Sequence, residues 1–278
     1  MAGEFDAHER QMWAGAAKAY AGSFAALCAG AAEALLDAAG VREGVRVLDV
    51  GTGPGTIAAA ALARGAEVVA VDAEPSMVEL AAANAPGAEV RHGVLPELPF
   101  ADGSFDAVVG NFVVNHVEDP WAALTELRRV ARPGGRLAVT VWHATANEAM
   151  SLFNQAMDEA GVVRPSYPAP MSFTRTVEGL CGLLEQAGLA EVAGRELAWT
   201  HREDPEVWWS GPAGGVAGIG RVMSEQTPGM YARVKTAYDR LAAGRLGGDG
   251  LIGLPAVAVL ASGRCQQVTG GHSVVAGR

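Results

Sequence analysis

The chain has 278 residues, half of them hydrophobic and 19% charged, enough to bury a full hydrophobic core. With 21 basic and 31 acidic residues its net charge is −10, which weighs against a nucleic-acid binder, because such proteins need a basic surface to displace counterions. No run reaches the ~18 apolar residues needed to cross a bilayer. Residues Met1 to Asp6 are polar and acidic, unlike a secretory signal. Cys28, Cys181 and Cys265 are odd in number, far apart and without metal-type spacing, so free thiols in a reducing cytoplasm are expected.

In chain order, residues 4–39 read as two helices, the second stopped by Gly40. Strand and helix patterns then alternate. Val45 to Val50 predicts a strand and Thr56 to Arg64 a helix. Glu67 to Asp72 is a strand, and Pro75 to Asn84 a helix with proline in its first turn. Ala88 to His92 and Phe105 to Asn111 are strands. Asp119-Pro120 opens a helix to Ala131, and a turn at Arg132-Pro133-Gly134-Gly135 leads to a strand from Arg136 to Trp142. This rhythm predicts a parallel sheet with helices on both faces. Beyond it, helices are expected over 147–160, 174–187 and, with glycine interruptions, 205–245. Glu191 to His201 and Pro255 to Ser262 read as strands, and 263–278 as a fraying tail.

The stretch Val47-Leu48-Asp49-Val50-Gly51-Thr52-Gly53-Pro54-Gly55 concentrates the chemistry. A buried strand turns sharply into a helix, and its glycines carry no side chains to keep a ligand off the backbone. Asp49 ends the strand, where its carboxylate can meet an amino group or orient the loop. Asp72 closes the next strand 19 residues after Gly53, where a carboxylate can take both hydroxyls of a ribose. The spacing is G-x-G-x-G rather than the dinucleotide G-x-G-x-x-G, and no P-loop lysine follows.

The segments VLDVGTGPGTIAAAAL, VVAVDAEPSMVELA and GVLPELPFADGSFDAVVGNFVVNHVEDPWAALTELRRVARPGGRLAVTVW resemble the class I S-adenosylmethionine-dependent methyltransferases, most densely from Val45 to Trp142. The resemblance implies an α/β, Rossmann-like, seven-stranded and mostly parallel sheet with an N-terminal helical lid and a helical cap. A single domain is expected, divided into the lid (1–40), the cofactor core (41–143), the cap and remaining core elements (144–254), and the last strand with its tail (255–278). It also implies S-adenosylmethionine as cofactor. Asp49, Gly51, Thr52, Gly53 and Gly55 would form the cofactor loop, Asp72 would bind the ribose, and Ala73 and Met77 would flank the adenine. Asn111 and Phe112 would line the methionine moiety, and Trp13 or Tyr20 would be a lid aromatic. Where the family often has an acidic residue, this chain has Val94, so Val94 and Leu95 would hold the adenine by backbone and apolar packing.

Methyl transfer is an in-line displacement, and a hydroxyl acceptor benefits from a base. The candidate bases are His116, just past strand four, and His143, after strand five, with His201 behind them. His8, His92 and His272 read as surface residues. No histidine pair has metal-ligand spacing, so no metal is expected. Trp208 and Trp209 begin a helix on which at most one should face a substrate, and the Pro-rich segment Arg164 to Pro170 reads as a lid over it. The function that follows is methyl transfer to oxygen, nitrogen or carbon of a small molecule, by analogy in specialised metabolism, by a monomer or homodimer. A cyclase or isomerase that keeps the cofactor structurally, and a non-catalytic binding module, are the alternatives.

Overall fold

A computed structural model describes residues 3–146 and 148–266. Met1, Asn147, His272 and most of the expected tail lie outside the described residues. The chain opens with four short helices, α1 (Glu4–Trp13), α2 (Ala17–Ala21), α3 (Phe24–Ala29) and α4 (Ala32–Ala38), rather than the two expected. The breaks fall at glycines: Gly15 is left-handed (φ 73°), and Gly22 and Gly30 follow α2 and α3.

The alternating region then runs β1 (Arg46–Val50), α5 (Thr56–Ala63), β2 (Glu67–Asp72), α6 (Pro75–Asn84), β3 (Glu89–His92) and β4 (Phe105–Asn111). A 3-10 turn (Val113–His116), α7 (Pro120–Val130) and β5 (Ala131–Trp142) complete it. The expected Arg132–Gly135 turn lies inside β5. Phe105 pairs with Ala131 and Ala107 with Arg136, so the extra residues bulge out of the strand. The second part comprises α8 (Ser151–Ala160), α9 (Val177–Gln186), β6 (Leu189–Glu203), α10 (Pro205–Ala213), α11 (Ala217–Ser224), α12 (Pro228–Ala243) and β7 (Ile252–Cys265).

The seven strands form one sheet in the order β3-β2-β1-β4-β5-β7-β6. The first five are parallel, and β7 runs antiparallel between β5 and the edge strand β6. Alternation along each strand divides the core. Leu48, Val69, Val108 and Val139 pack toward α7 and α9, while Val47, Val68, Val109 and Ala138 pack toward α4 and α5. The strand order reverses between β1 and β4, and ligands of open parallel sheets bind in the crevice at such a point.

A separate aromatic core holds the cap together. Phe153 stacks on Tyr238 (5.3 Å between centroids, 7°), with Trp208 and Trp209 packed around them. Both tryptophans are buried and neither lines the cavities described below, so both belong to this core, within the expectation that at most one would face a substrate. Asp204 caps α10 through Glu206 and Val207 N–H, which turns this pair inward.

Candidate functional site

Glycine conformation and one buried threonine shape the loop after β1. Gly51 and Thr52 N–H both donate to the Val71 carbonyl (2.9 and 3.0 Å), which wraps the loop over the end of β2. Thr52 Oγ1 donates to Asp49 Oδ2 at 2.6 Å, which leaves Asp49 Oδ1 buried and unpartnered. Burial pushes the Asp49 carboxyl up to about 7, even though the Thr52 bond works the other way. Gly55 (φ 88°) is a packing residue: a Cβ there would sit 3.0 Å from Ala81 Cα on α6. Thr52 and Gly55 shape the loop without lining the cavity.

Asp72 ends β2 and holds the loop from the other side. Its Oδ2 accepts Gly53 N–H (2.8 Å) and its Oδ1 accepts Glu74 N–H (3.0 Å). Burial raises the Asp72 carboxyl above its ordinary value despite these two bonds. His92 contributes from β3, with Nε2 3.1 Å from the Ala73 carbonyl. The segment bearing Val94 and Leu95 is fixed by buried Glu126, which accepts Leu98 N–H (2.7 Å) and pairs with Arg129.

The end of β4 is strained and well supported. Phe112 adopts a left-handed conformation (φ 60°), and its N–H is shared between Thr140 Oγ1 (3.0 Å) and the Thr140 carbonyl (3.2 Å). Thr140 Oγ1 donates to Asn111 Oδ1 (2.7 Å), and Asn111 Nδ2 donates to the Cys28 carbonyl (3.1 Å). Both ends of the Asn111 amide are therefore used to fasten α3 to the sheet. The Phe112 ring stacks on Trp142 at 3.9 Å.

Two adjoining cavities meet at these elements. The first, about 170 Å³, is lined by Gly51, Gly53, Asp72, Ala73, Met77, Val94, Leu95 and Asn111 among others. The second, about 770 Å³, lies between the N-terminal helices, Trp142, α8 and the 169–175 segment. Glu9, Trp13, Tyr20, Phe112 and His116 line both. At this junction Glu9 is buried on α1, and its Oε2 accepts from Trp13 Nε1 (3.1 Å) and lies 2.8 Å from His116 Nδ1. In the neutral imidazole the carboxylate fixes the tautomer, with the proton on Nδ1 and the lone pair on Nε2. Trp13 meets both His116 and Tyr20 edge-on (5.3 and 5.4 Å). Burial holds the Tyr20 phenol protonated and pushes the Cys28 thiol up to about 11, so neither competes with His116 as a base.

His143 and His201 stay outside this arrangement. His143 Nδ1 accepts from Thr145 and Ala146 N–H (3.2 and 3.1 Å), its Nε2 lies 3.4 Å from Glu196, and it lines neither cavity. Its own loop occupies Nδ1, and the ring lies away from the junction. His201 Nε2 faces Glu203 at 3.3 Å, also away from the cavities. Tyr167 stacks on His8 (4.8 Å), while Ala169 to Phe173 form the cavity wall. Glu9, Asn115 and Arg175 escape a reading of the sequence. Among them only Glu9 left a signal: it precedes Trp13 by four residues on one helix face.

The buried orphan oxygen of Asp49, the paired Asp72 carboxylate and the glycine backbone suit a long ligand with a cationic end and a ribose. A Cβ on Gly53 (φ 55°) would project toward Tyr20, 3.6 Å away, and fill the space where such a ligand would lie. Comparison with known proteins gives the family and the fold. Residues 48–139 match a family described as the methyltransferase domain. A demethylmenaquinone methyltransferase of Renibacterium salmoninarum is 30% identical over 194 residues, covering 69% of this chain and 79% of that protein. A protein of the same description from Beutenbergia cavernae is 45% identical over 106 residues, 38% of this chain and 44% of that one. The fold matches the YcgJ protein of Bacillus subtilis (TM-score 0.54, 22% identity, 85% of this chain and 98% of that one). It also matches a phosphoethanolamine N-methyltransferase of Haemonchus contortus bound to S-adenosylhomocysteine (TM-score 0.50, 17% identity, 84% and 52%).

Proposed function

Given that this chain belongs to the class I S-adenosylmethionine-dependent methyltransferases, we propose that it methylates a hydroxyl oxygen of a small molecule held in the larger cavity. The observation that carries this reading is the Glu9–His116 pair on the wall shared by the two cavities. Bound S-adenosylmethionine supplies an electrophilic methyl carbon, whose bond to sulfur breaks with the electron pair leaving on sulfur.

The chain's own residues hold and orient. Asp72 accepts the ribose hydroxyls, and Gly51 and Gly53 let the ligand lie against backbone. Asp49, with its free oxygen, meets the amino group directly or orients the loop that does. Ala73, Met77, Val94 and Leu95 enclose the adenine, and Asn111, Phe112 and Tyr20 close the methionine end. His116 Nε2 takes the acceptor's hydroxyl proton as oxygen attacks the methyl carbon. Buried Glu9 then stabilises the imidazolium, and Trp13 keeps Glu9 aimed. The whole chain acts as one domain, and its unpaired cysteines suit a reducing cytoplasm. Among the described residues no helix is long and apolar enough to cross a membrane.

A panel of hydroxylated and aminated aromatic acceptors incubated with S-adenosylmethionine tests the reading. S-adenosylhomocysteine should form in proportion to O-methylated product. Transfer confined to amines, or product without S-adenosylhomocysteine, would overturn it.

Asp49 gives the site a pH dependence whose sign can be worked out. Its carboxyl titrates near 7 in the ligand-free protein, and a bound ammonium favours the ionised form. Cofactor affinity therefore falls as pH drops through 7, being near its full value only about a unit above it, by about tenfold between pH 8 and pH 6. Calorimetric titrations across that range check this, and in Asp49→Asn the dependence should flatten.

A further inference from the structure

The walls of the larger cavity carry two formally charged side chains besides His116: Glu9 and Arg175. Glu9 is already committed through Oε2, which Trp13 and His116 share. Arg175 is different. It stands just before α9, is half-buried, and its guanidinium has no hydrogen-bond or ion-pair partner among the described residues. Its backbone is nonetheless anchored, because the Arg175 carbonyl accepts Ala144 N–H at 3.1 Å and ties the segment to the chain leaving β5. The position is fixed while the charge is unmatched. In a protein of net charge −10 whose Arg64, Arg129 and Arg164 pair with carboxylates, Arg175 is left to receive an anion that enters the cavity.

A second, independent observation lies in the turn that carries His116. Asn115 also lines the cavity, and both Oδ1 and Nδ2 of its amide are buried without a partner. A buried amide with neither end satisfied is rare in a finished structure, and it offers one acceptor and two donors to whatever fills the space. Between these polar points the surface is apolar, made by Phe24, Leu27, Trp142, Met150 and Ile219.

We propose that the acceptor is an amphipathic hydroxycarboxylate. Its carboxylate is received by Arg175, its apolar body lies against Trp142 and Ile219, and its polar end is read by Asn115 beside His116. The proposal rests on the reading of this cavity as the acceptor site. It adds a requirement that methyl transfer alone does not impose, namely a negative charge on the acceptor. Arg suits this task because its planar fork matches a carboxylate in two parallel hydrogen bonds.

The test is a binding measurement independent of turnover. With S-adenosylhomocysteine present, 6-hydroxy-2-naphthoate and its neutral primary amide are titrated calorimetrically into the full chain. The acid should bind at least about tenfold more tightly than the amide, and added salt should narrow the gap. Arg175→Gln should erase the preference while S-adenosylhomocysteine affinity and the melting temperature stay as in the parent, and Arg175→Lys should keep part of it. Equal binding of acid and amide, a preference that survives in Arg175→Gln, or no binding of either probe at about 1 mM would overturn the proposal. The two readings fail separately. An Arg175-dependent preference for acids that are never methylated sinks methyl transfer to hydroxyl and keeps the anion site. Methylation of neutral phenols with no preference for acids does the opposite.

Discussion

His116→Ala is expected to lower kcat for a hydroxylated acceptor by about 100- to 10,000-fold, the usual contribution of a positioned base, with S-adenosylmethionine affinity nearly unchanged. The affinity should hold because the groups assigned to the ribose and adenine sit at β1, β2, α6 and the loop after β3, and those at the methionine end are Asn111, Phe112 and Tyr20, while His116 lies in the turn beyond them. Glu9→Gln is the more discriminating variant. It keeps the length and burial of the side chain, but an amide can turn its NH2 toward Nδ1 and move the imidazole proton to Nε2, where it blocks base action. A loss comparable with that of His116→Ala is expected, although Glu9 touches no reacting atom. An amine acceptor that enters already neutral needs no base and should lose much less in both variants. Steady-state kinetics with matched phenol and aniline acceptors separate these outcomes. Equal losses for both would mean that His116 and Glu9 act only as a wall.

Asp72→Ala should weaken S-adenosylmethionine binding by about 2–4 kcal/mol, roughly 30- to 1,000-fold, measured by calorimetry. Two losses combine. The ribose loses an ionised acceptor, and the backbone N–H groups of Gly53 and Glu74 lose the carboxylate that positions them. The second loss propagates, because Glu74 also caps α6 through Ser76 and accepts Gly15 N–H (3.2 Å) from the N-terminal segment. Asp72→Asn retains one acceptor oxygen but sets an amide donor against an N–H, so it should recover only part of the affinity. An unchanged Kd in Asp72→Ala would mean that the ribose lies elsewhere.

How much of this could be read from the sequence depended on whether the controlling interactions were local. β2, β4 and α6 begin and end where hydrophobic runs, glycines and Pro75 predict, because strand burial and capping act within a few residues. The glycine turn between β1 and α5 was legible for the same reason. Errors arose where distance along the chain was large. His143 and His116 both follow strand ends and look equivalent in sequence, yet only His116 meets Glu9, 107 residues away. For the tryptophan pair on α10 the sequence left open which ring, if either, is buried, because that depends on Phe153 and Tyr238, neither of which is near it in sequence. Arg175 gave no signal, since a charge in a polar segment reads as solvated until the opposite wall is known.

Helix α1 lies over both cavities at once. Asp6 Oδ1 accepts Glu118 N–H (2.7 Å) at one end, and the chain just past the other end is held by Glu74. One roof over two chambers makes their occupants thermodynamically dependent on each other. A ligand in either chamber that restrains α1 leaves less of its motion to be lost when the other binds. Such coupling is reciprocal by linkage: any factor by which the cofactor tightens the acceptor is the factor by which the acceptor tightens the cofactor. Heterotropic cooperativity between the two substrates is therefore the expected consequence of a single ten-residue helix that walls both chambers, and is checked by measuring the affinity for each with and without the other.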